Sequence, residues 1–162
     1  MMKRTLMCVA VGLVLLTSAC SQAGKPDPAI KPLAFADYAA PLYPNETPEL
    51  RSLIMKYAEE YKVPPTLIQK VVIRESRHRP AAKNGPYYGL MQILPATARS
   101  MGFDGDAKDL LDADTNLKYA VKYLKGAYVV AEGNEQEAIM HYARGYYYAA
   151  KSKGLLKEAG LR

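Results

Sequence analysis

Residues 66–78, Thr66-Leu67-Ile68-Gln69-Lys70-Val71-Val72-Ile73-Arg74-Glu75-Ser76-Arg77-His78, carry a helical period that recurs in segments on both sides of them. Ile68, Val71 and Val72 make an apolar stripe, and extending it by three or four residues lands on Glu75. Lys70, Arg74 and Arg77 fall on the opposite side by the same spacing. The helix therefore reads as holding its cations in water and its one carboxylate toward the interior or a cleft. A carboxylate there is costly unless it is paired or used. Two readings stand side by side: a buried glutamate tied to an arginine or a helix N-terminus, or an acid whose pKa is raised by desolvation and which can protonate a leaving oxygen near neutral pH.

Outward from this segment the chain continues as helices. Upstream, Thr47-Pro48-Glu49 is a start signal: a capping hydroxyl, a proline in the first turn and an acid facing the helix dipole. Leu50, Leu53, Ile54, Tyr57, Ala58 and Tyr61 follow at helical spacing until Val63-Pro64-Pro65 stops the run. Thr66 is the expected cap of the next helix, which runs to about His78, ahead of Pro80. Residues 79–94 carry Pro, Gly and Asn and read as a long loop, and Pro95 to Met101 suits a short helix closed by Gly102. Asp114 or Thr115 opens a helix with Leu117, Val121, Leu124 and Tyr128 on one stripe, ended by Gly133. Asn134 and Glu137 form a capping pair for a last helix reaching about Lys153. No stretch reads as a strand, so the expected class is all-α.

The first nineteen residues read as an export signal, with Lys3 and Arg4 ahead of an apolar run, Leu6 to Leu16, that is short for a membrane span. Thr17-Ser18-Ala19-Cys20 resembles a bacterial lipobox, with Thr17 where leucine is usual, so Cys20 is the expected lipid attachment site. Ser21 after it suggests sorting to the periplasmic face of an outer membrane. Cys8 leaves with the signal, and the remaining chain cannot form an internal disulfide. Five prolines break up residues 21–45, a composition for a semi-rigid tether that spans roughly 75 Å at ~3.1 Å per residue. The expected organisation is a signal at 1–19, a linker at 20–46 and a catalytic domain at 47–162. The net charge is +6, and about +4 without Lys3 and Arg4. That mild excess suits an anionic polymer and does not require nucleic acid.

Two further blocks give Glu75 a context. Glu75-Ser76-x-x-x-Pro80 followed by Gly89-Leu90-Met91-Gln92-Ile93-x-Pro95-x-Thr97-Ala98 resembles the signature of Slt-type lytic transglycosylase domains, which have a goose-type lysozyme-like fold. The resemblance continues through 114–124 and 138–145 and covers about 95 residues, 63–157. It implies that Glu75 is the acid/base, that Met91 and Gln92 line the cleft, and that Tyr142 lies beside the glutamate. Gln92 offers a donor and acceptors for sugar hydroxyl or acetamido groups, Gly89 permits close backbone approach to a sugar, and Leu90 and Ile93 suit the core. Met91 is equally readable as core. Ser76 reads as a local hydrogen-bonding residue.

Two features depart from the family. Its usual Ala-Tyr-Asn-x-Gly is here His141-Tyr142-Ala143-Arg144-Gly145, so the asparagine's role does not carry over to Ala143. The loop before Gly89 is one residue shorter, and Asn84 falls near a family serine that contacts substrate. With no Trp, tyrosines must supply the sugar-packing rings: Tyr87 and Tyr88 in the loop, with Tyr88 carried as a substrate contact, and at most one or two of Tyr146, Tyr147 and Tyr148.

An ordinary glycosidase uses two carboxylates. The nearest other acids, Asp104, Asp106 and Asp109, read as solvated loop residues, so a one-acid mechanism fits better. The resemblance implies non-hydrolytic cleavage between MurNAc and GlcNAc, leaving a 1,6-anhydro ring. A hydrolytic muramidase and a non-catalytic glycan-binding or assembly protein are the rival readings. No metal or cofactor is expected: the histidines are His78 and His141, and His78, between Arg77 and Arg79, is expected to face solvent. The expected partners are peptidoglycan strands and, through the lipid anchor, a membrane, with no protein partner assigned.

Overall fold

The computed structural model of the protein describes residues 40–161; the expected signal, Cys20 and most of the linker lie outside them. The described residues form α1 (Pro48–Tyr61), α2 (Pro65–Glu75), a hairpin of β1 (Lys83–Asn84) and β2 (Tyr87–Tyr88), α3 (Pro95–Ser100), a 3₁₀ turn (Ala107–Leu111), α4 (Ala113–Val130), α5 (Glu135–Arg144) and α6 (Tyr147–Lys153). The fold is essentially all-helical, as its apolar periodicity requires.

The central element is α4, which packs against both α1 and α5. Leu117, Ala120, Val121, Leu124, Ala127 and Val130 are fully buried along it. Side chains such as Leu117 and Leu124 each contribute about 1.5–3 kcal/mol by leaving water. On α1, Leu50, Ile54, Tyr57 and Ala58 meet this core. Thr47 caps α1 by accepting from Leu50 N at 3.2 Å, and Lys62, in the left-handed region, closes it. Asn134 caps α5 by accepting from Glu137 N at 3.0 Å.

Several local expectations change. Thr66 does not cap α2; it lies in the first turn and donates to Glu135 at 3.2 Å, which with the 2.6 Å Lys70–Glu135 ion pair ties α2 to α5. The cap of α4 is Asp112, which accepts from Thr115 N at 2.8 Å, whereas Asp114 receives Tyr57 Oη at 2.9 Å. The expected last helix is split at Gly145, whose φ of +83° breaks it into α5 and α6. The 79–94 loop holds the hairpin: Lys83 pairs with Tyr88 and Asn84 with Tyr87, around a turn led by Gly85 at φ +56°.

α2 ends at Glu75 rather than near His78, because Arg77 and His78 both take positive φ (+53° and +58°) and cannot continue it. His78 is 2% exposed rather than solvent-facing, and its imidazole nitrogen lies 2.7 Å from Gln69 Oε1. The packed structure also begins ahead of Thr47, since Glu46 is buried and paired with Arg51 at 2.6 Å.

Candidate active site

Glu75 stands at the C-terminal end of α2 on the wall of a cavity of about 790 Å³. The hairpin supplies Lys83, Asn84 and Tyr87 to this cavity, the turn after it Gln92, and α5 supplies Tyr142 and Ala143. A second space of about 370 Å³ shares Tyr87, Gln92, Tyr142 and Ala143 with the first and continues past Tyr123 and Arg144. The two spaces adjoin through these shared residues and together form the groove.

The Glu75 side chain is 24% exposed, with Arg74 Nε 3.4 Å from Oε1. Arg74 therefore reaches round to the carboxylate instead of standing apart from it as the helical spacing suggested. Partial burial raises the carboxyl above its usual range, and the Arg74 charge only partly opposes this. Among the described residues Glu75 is the one carboxylate lining either part of the groove, while Arg74, Arg79, Lys83 and Arg144 line it as cations. Asp106 and Asp109 are away from it, forming a capping pair at the 3₁₀ turn.

Tyr142 donates its hydroxyl proton to Met91 O at 2.9 Å. Burial, then the nearby Glu75 charge, hold the phenol far above its ordinary pKa, so it stays protonated as a donor. Its ring packs edge-on against Tyr123 at 5.5 Å, and Tyr123 in turn meets Tyr146 at 4.8 Å. Gln92, at φ +49°, spends its amide protons on Ala82 O (3.1 Å) and Gly89 O (2.9 Å), which leaves its amide oxygen as an acceptor at the groove.

The turn bearing Gln92 is closed by reciprocal 3.1 Å bonds between Tyr88 and Ile93 and anchored by Asn116, which sequence reasoning missed. This fully buried side chain accepts from Met91 N (3.0 Å) and donates to Tyr88 O (2.9 Å) and Leu110 O (2.8 Å). Asn116 lies on the apolar stripe of α4 with Ala120 and Leu124, the same kind of misplacement that marked Glu75, and could have been found by it. It also gives Gly89 its reason: at φ +74°, an added Cβ would strike the Asn116 amide and Leu110 O, so the close approach is to Asn116 and not to a sugar.

The expected contacts divide. Asn84, Gln92 and Tyr142 meet Glu75 around the cavity. Met91 does not line it: its side chain is 0% exposed in the core, drawn inward by the hydrogen bonds on both sides of its backbone. Tyr88 does not line it either. Adjacent strand residues face opposite ways, so Tyr88 packs on the core and Tyr87, 43% exposed, lines both parts of the groove. Tyr147 and Tyr148 lie outside it, and Tyr146 is buried, donating to Tyr123 O at 3.0 Å. Ser76 is buried with its hydroxyl on Val72 O at 3.3 Å.

The described residues thus form a helical fold whose groove is lined by one partly desolvated carboxylate. A family model, the transglycosylase SLT domain, matches residues 52–159, and the chain belongs to that family. Membership supports a lytic-transglycosylase-family function directed at peptidoglycan, on a lysozyme-like helical fold. No solved structure matches the chain.

Proposed function

We propose that the protein cleaves the β-1,4 bond between MurNAc and GlcNAc without water and leaves a 1,6-anhydro-MurNAc end. The observation that carries this reading is Glu75 as the one carboxylate of the groove among the described residues, with its pKa raised by burial. Protonated Glu75 gives its proton to the glycosidic oxygen as the bond from that oxygen to C1 of MurNAc breaks. The 2-acetamido group assists at C1. The Glu75 carboxylate then takes the proton from the C6 hydroxyl, and O6 bonds to C1. Glu75 ends protonated, and no second acid or water enters the balance. Tyr142, Gln92, Asn84 and Tyr87 line the cavity with Glu75, where they can orient the sugar.

Digestion of purified sacculi tests this. Wild-type protein releases muropeptides with anhydro ends, and Glu75→Gln, which keeps the shape but cannot exchange the proton, loses about 10² to 10⁴ in rate. Products heavier by one water would make the enzyme a hydrolytic muramidase, and no release at all a binding or assembly protein. The same reading places the protein outside the cytoplasm, on the periplasmic face of an outer membrane through acylated Cys20 or free in the periplasm.

A further inference from the structure

We infer that Tyr43–Glu46, the end of the proline-rich tether, is a positioning clamp for Glu75. Immediately after Glu75 and its capping residue Ser76 come two consecutive non-glycine residues in the left-handed region, Arg77 and His78, at φ +53° and +58°. That conformation is disfavoured for any side chain with a Cβ, so the pair persists only where its surroundings hold it. The holding groups come from the tether. Asn45 Nδ2 donates to Arg77 O at 3.1 Å. The Tyr43 ring stacks on the His78 imidazole, with centroids 5.5 Å apart and planes within 12°.

Beneath them runs a buried polar chain. Glu46 accepts from Arg51 Nε (2.6 Å) and Nη2 (2.7 Å) and from Gln69 Nε2 (2.6 Å). Gln69 thereby turns its oxygen to His78, so His78 Nε2 carries the proton of their 2.7 Å bond. Tyr43 N closes the loop on Glu46 Oε2 at 2.9 Å. Burial would raise the Glu46 carboxyl, but the hydrogen bonds from Arg51, Tyr43 N and Gln69 outweigh it and hold it at about 2, so it is charged at every working pH. The strained pair is thus fixed between α2, which carries Gln69, and the tether. Arg79, next in the chain, donates to Ser76 O at 2.9 Å and lines the cavity, so the clamp fixes groove residues on both sides of the strained pair. None of the clamp residues lines the groove.

In this arrangement Asn45 and Tyr43 act through Arg77 and His78 on the end of α2. The effect on turnover rests on Glu75 being the acid, whereas the effect on the Glu75 side chain does not.

The test uses the full chain. Asn45→Gly keeps the left-handed backbone of position 45 (φ +65°) and removes the amide. Tyr43→Ala removes the stacked ring, and Tyr43→Phe restores it. Lys153→Ala, which cuts the 2.8 Å bridge to Glu132 far along the chain, controls for simple destabilisation. Asn45→Gly and Tyr43→Ala are expected to lower kcat about tenfold with KM within about twofold. Both should move the ¹³C titration of the Glu75 carboxyl toward ordinary glutamate, while Tyr43→Phe and Lys153→Ala leave both readouts at wild type. Wild-type kcat and titration in the two clamp variants would overturn the inference, as would the same changes in Lys153→Ala. If wild type fails to cleave sacculi, the proposed reaction falls, and the titration alone still decides the clamp.

Discussion

The phenol of Tyr142 and the carbonyl of Met91, 51 residues apart in sequence, are joined by a 2.9 Å hydrogen bond that fixes α5 to the turn carrying Gln92. Asn116 holds the other side of the same residue through Met91 N at 3.0 Å. The turn that brings Gln92 to the cavity is therefore gripped from two helices, and Gln92 inherits its position from that grip.

Tyr142→Phe removes one of the two holds. It leaves Met91 O without this donor and should cost about 1–2 kcal/mol in urea unfolding, with turnover on sacculi down at least about tenfold. Tyr148 is 83% exposed, and Tyr148→Phe should stay within about 0.5 kcal/mol and at wild-type turnover. Equal effects of the two variants would remove Tyr142 from the site.

Asn116→Ala should be more damaging to the fold. It strips the partners of Met91 N and Leu110 O, while Tyr88 O keeps Ile93 N, at about 1–3 kcal/mol for each buried group left unpaired. Chemical denaturation should show a loss of at least about 2 kcal/mol; a loss below about 1 kcal/mol would show that the turn is held otherwise.

The pH profile follows from Glu75. Its first step needs the protonated acid, so turnover falls as pH rises through a pKa that burial has raised. Arg74→Ala removes the charge that opposes this rise, so the alkaline limb of the profile should move to higher pH; movement to lower pH would contradict the role of Arg74. The same shift acts on stability: the folded state holds its Glu75 proton more tightly than the unfolded chain, so stability falls as pH rises from the ordinary glutamate pKa to the raised one. Glu75→Gln should therefore melt at a higher temperature than wild type above that window and not below it, which calorimetry at two pH values can read.

The proposed acylation of Cys20 makes a prediction about cellular position. The wild-type protein should fractionate with membranes, and Cys20→Ala should appear in the soluble periplasmic fraction. Retention of Cys20→Ala in membranes would exclude the lipid as the anchor.

The helices were legible because burial is periodic: Leu50, Ile54, Tyr57 and Ala58 in α1 and Leu117, Val121 and Leu124 in α4 all face the core their spacing implied. Glu75 was legible as an exception to that period, and the Gly89–Ile93 block placed it in a family. Less legible was anything that depended on which way a loop residue turned. Met91 and Tyr88 share a short loop with Gln92 and Tyr87, and only the hairpin pairing and the Asn116 bonds decide that the first two face the core and the others the groove. The break at Gly145 was hidden because glycine permits a positive φ without requiring it.

The chain by itself thus determined its helical class and its family and singled out Glu75 as the candidate acid, since these follow from local spacing and from residues close together in sequence. The tertiary structure decided the surroundings of that residue: Arg74 turning to meet it, Asn116 fixing the turn that carries Gln92, and Glu46, Arg51 and Gln69 buried beside the strained Arg77–His78 pair that follows it. The Asn116 and Glu46–Gln69 contacts join segments far apart in the chain, and their energy lies in desolvation and geometry that no residue shows until the helices have packed.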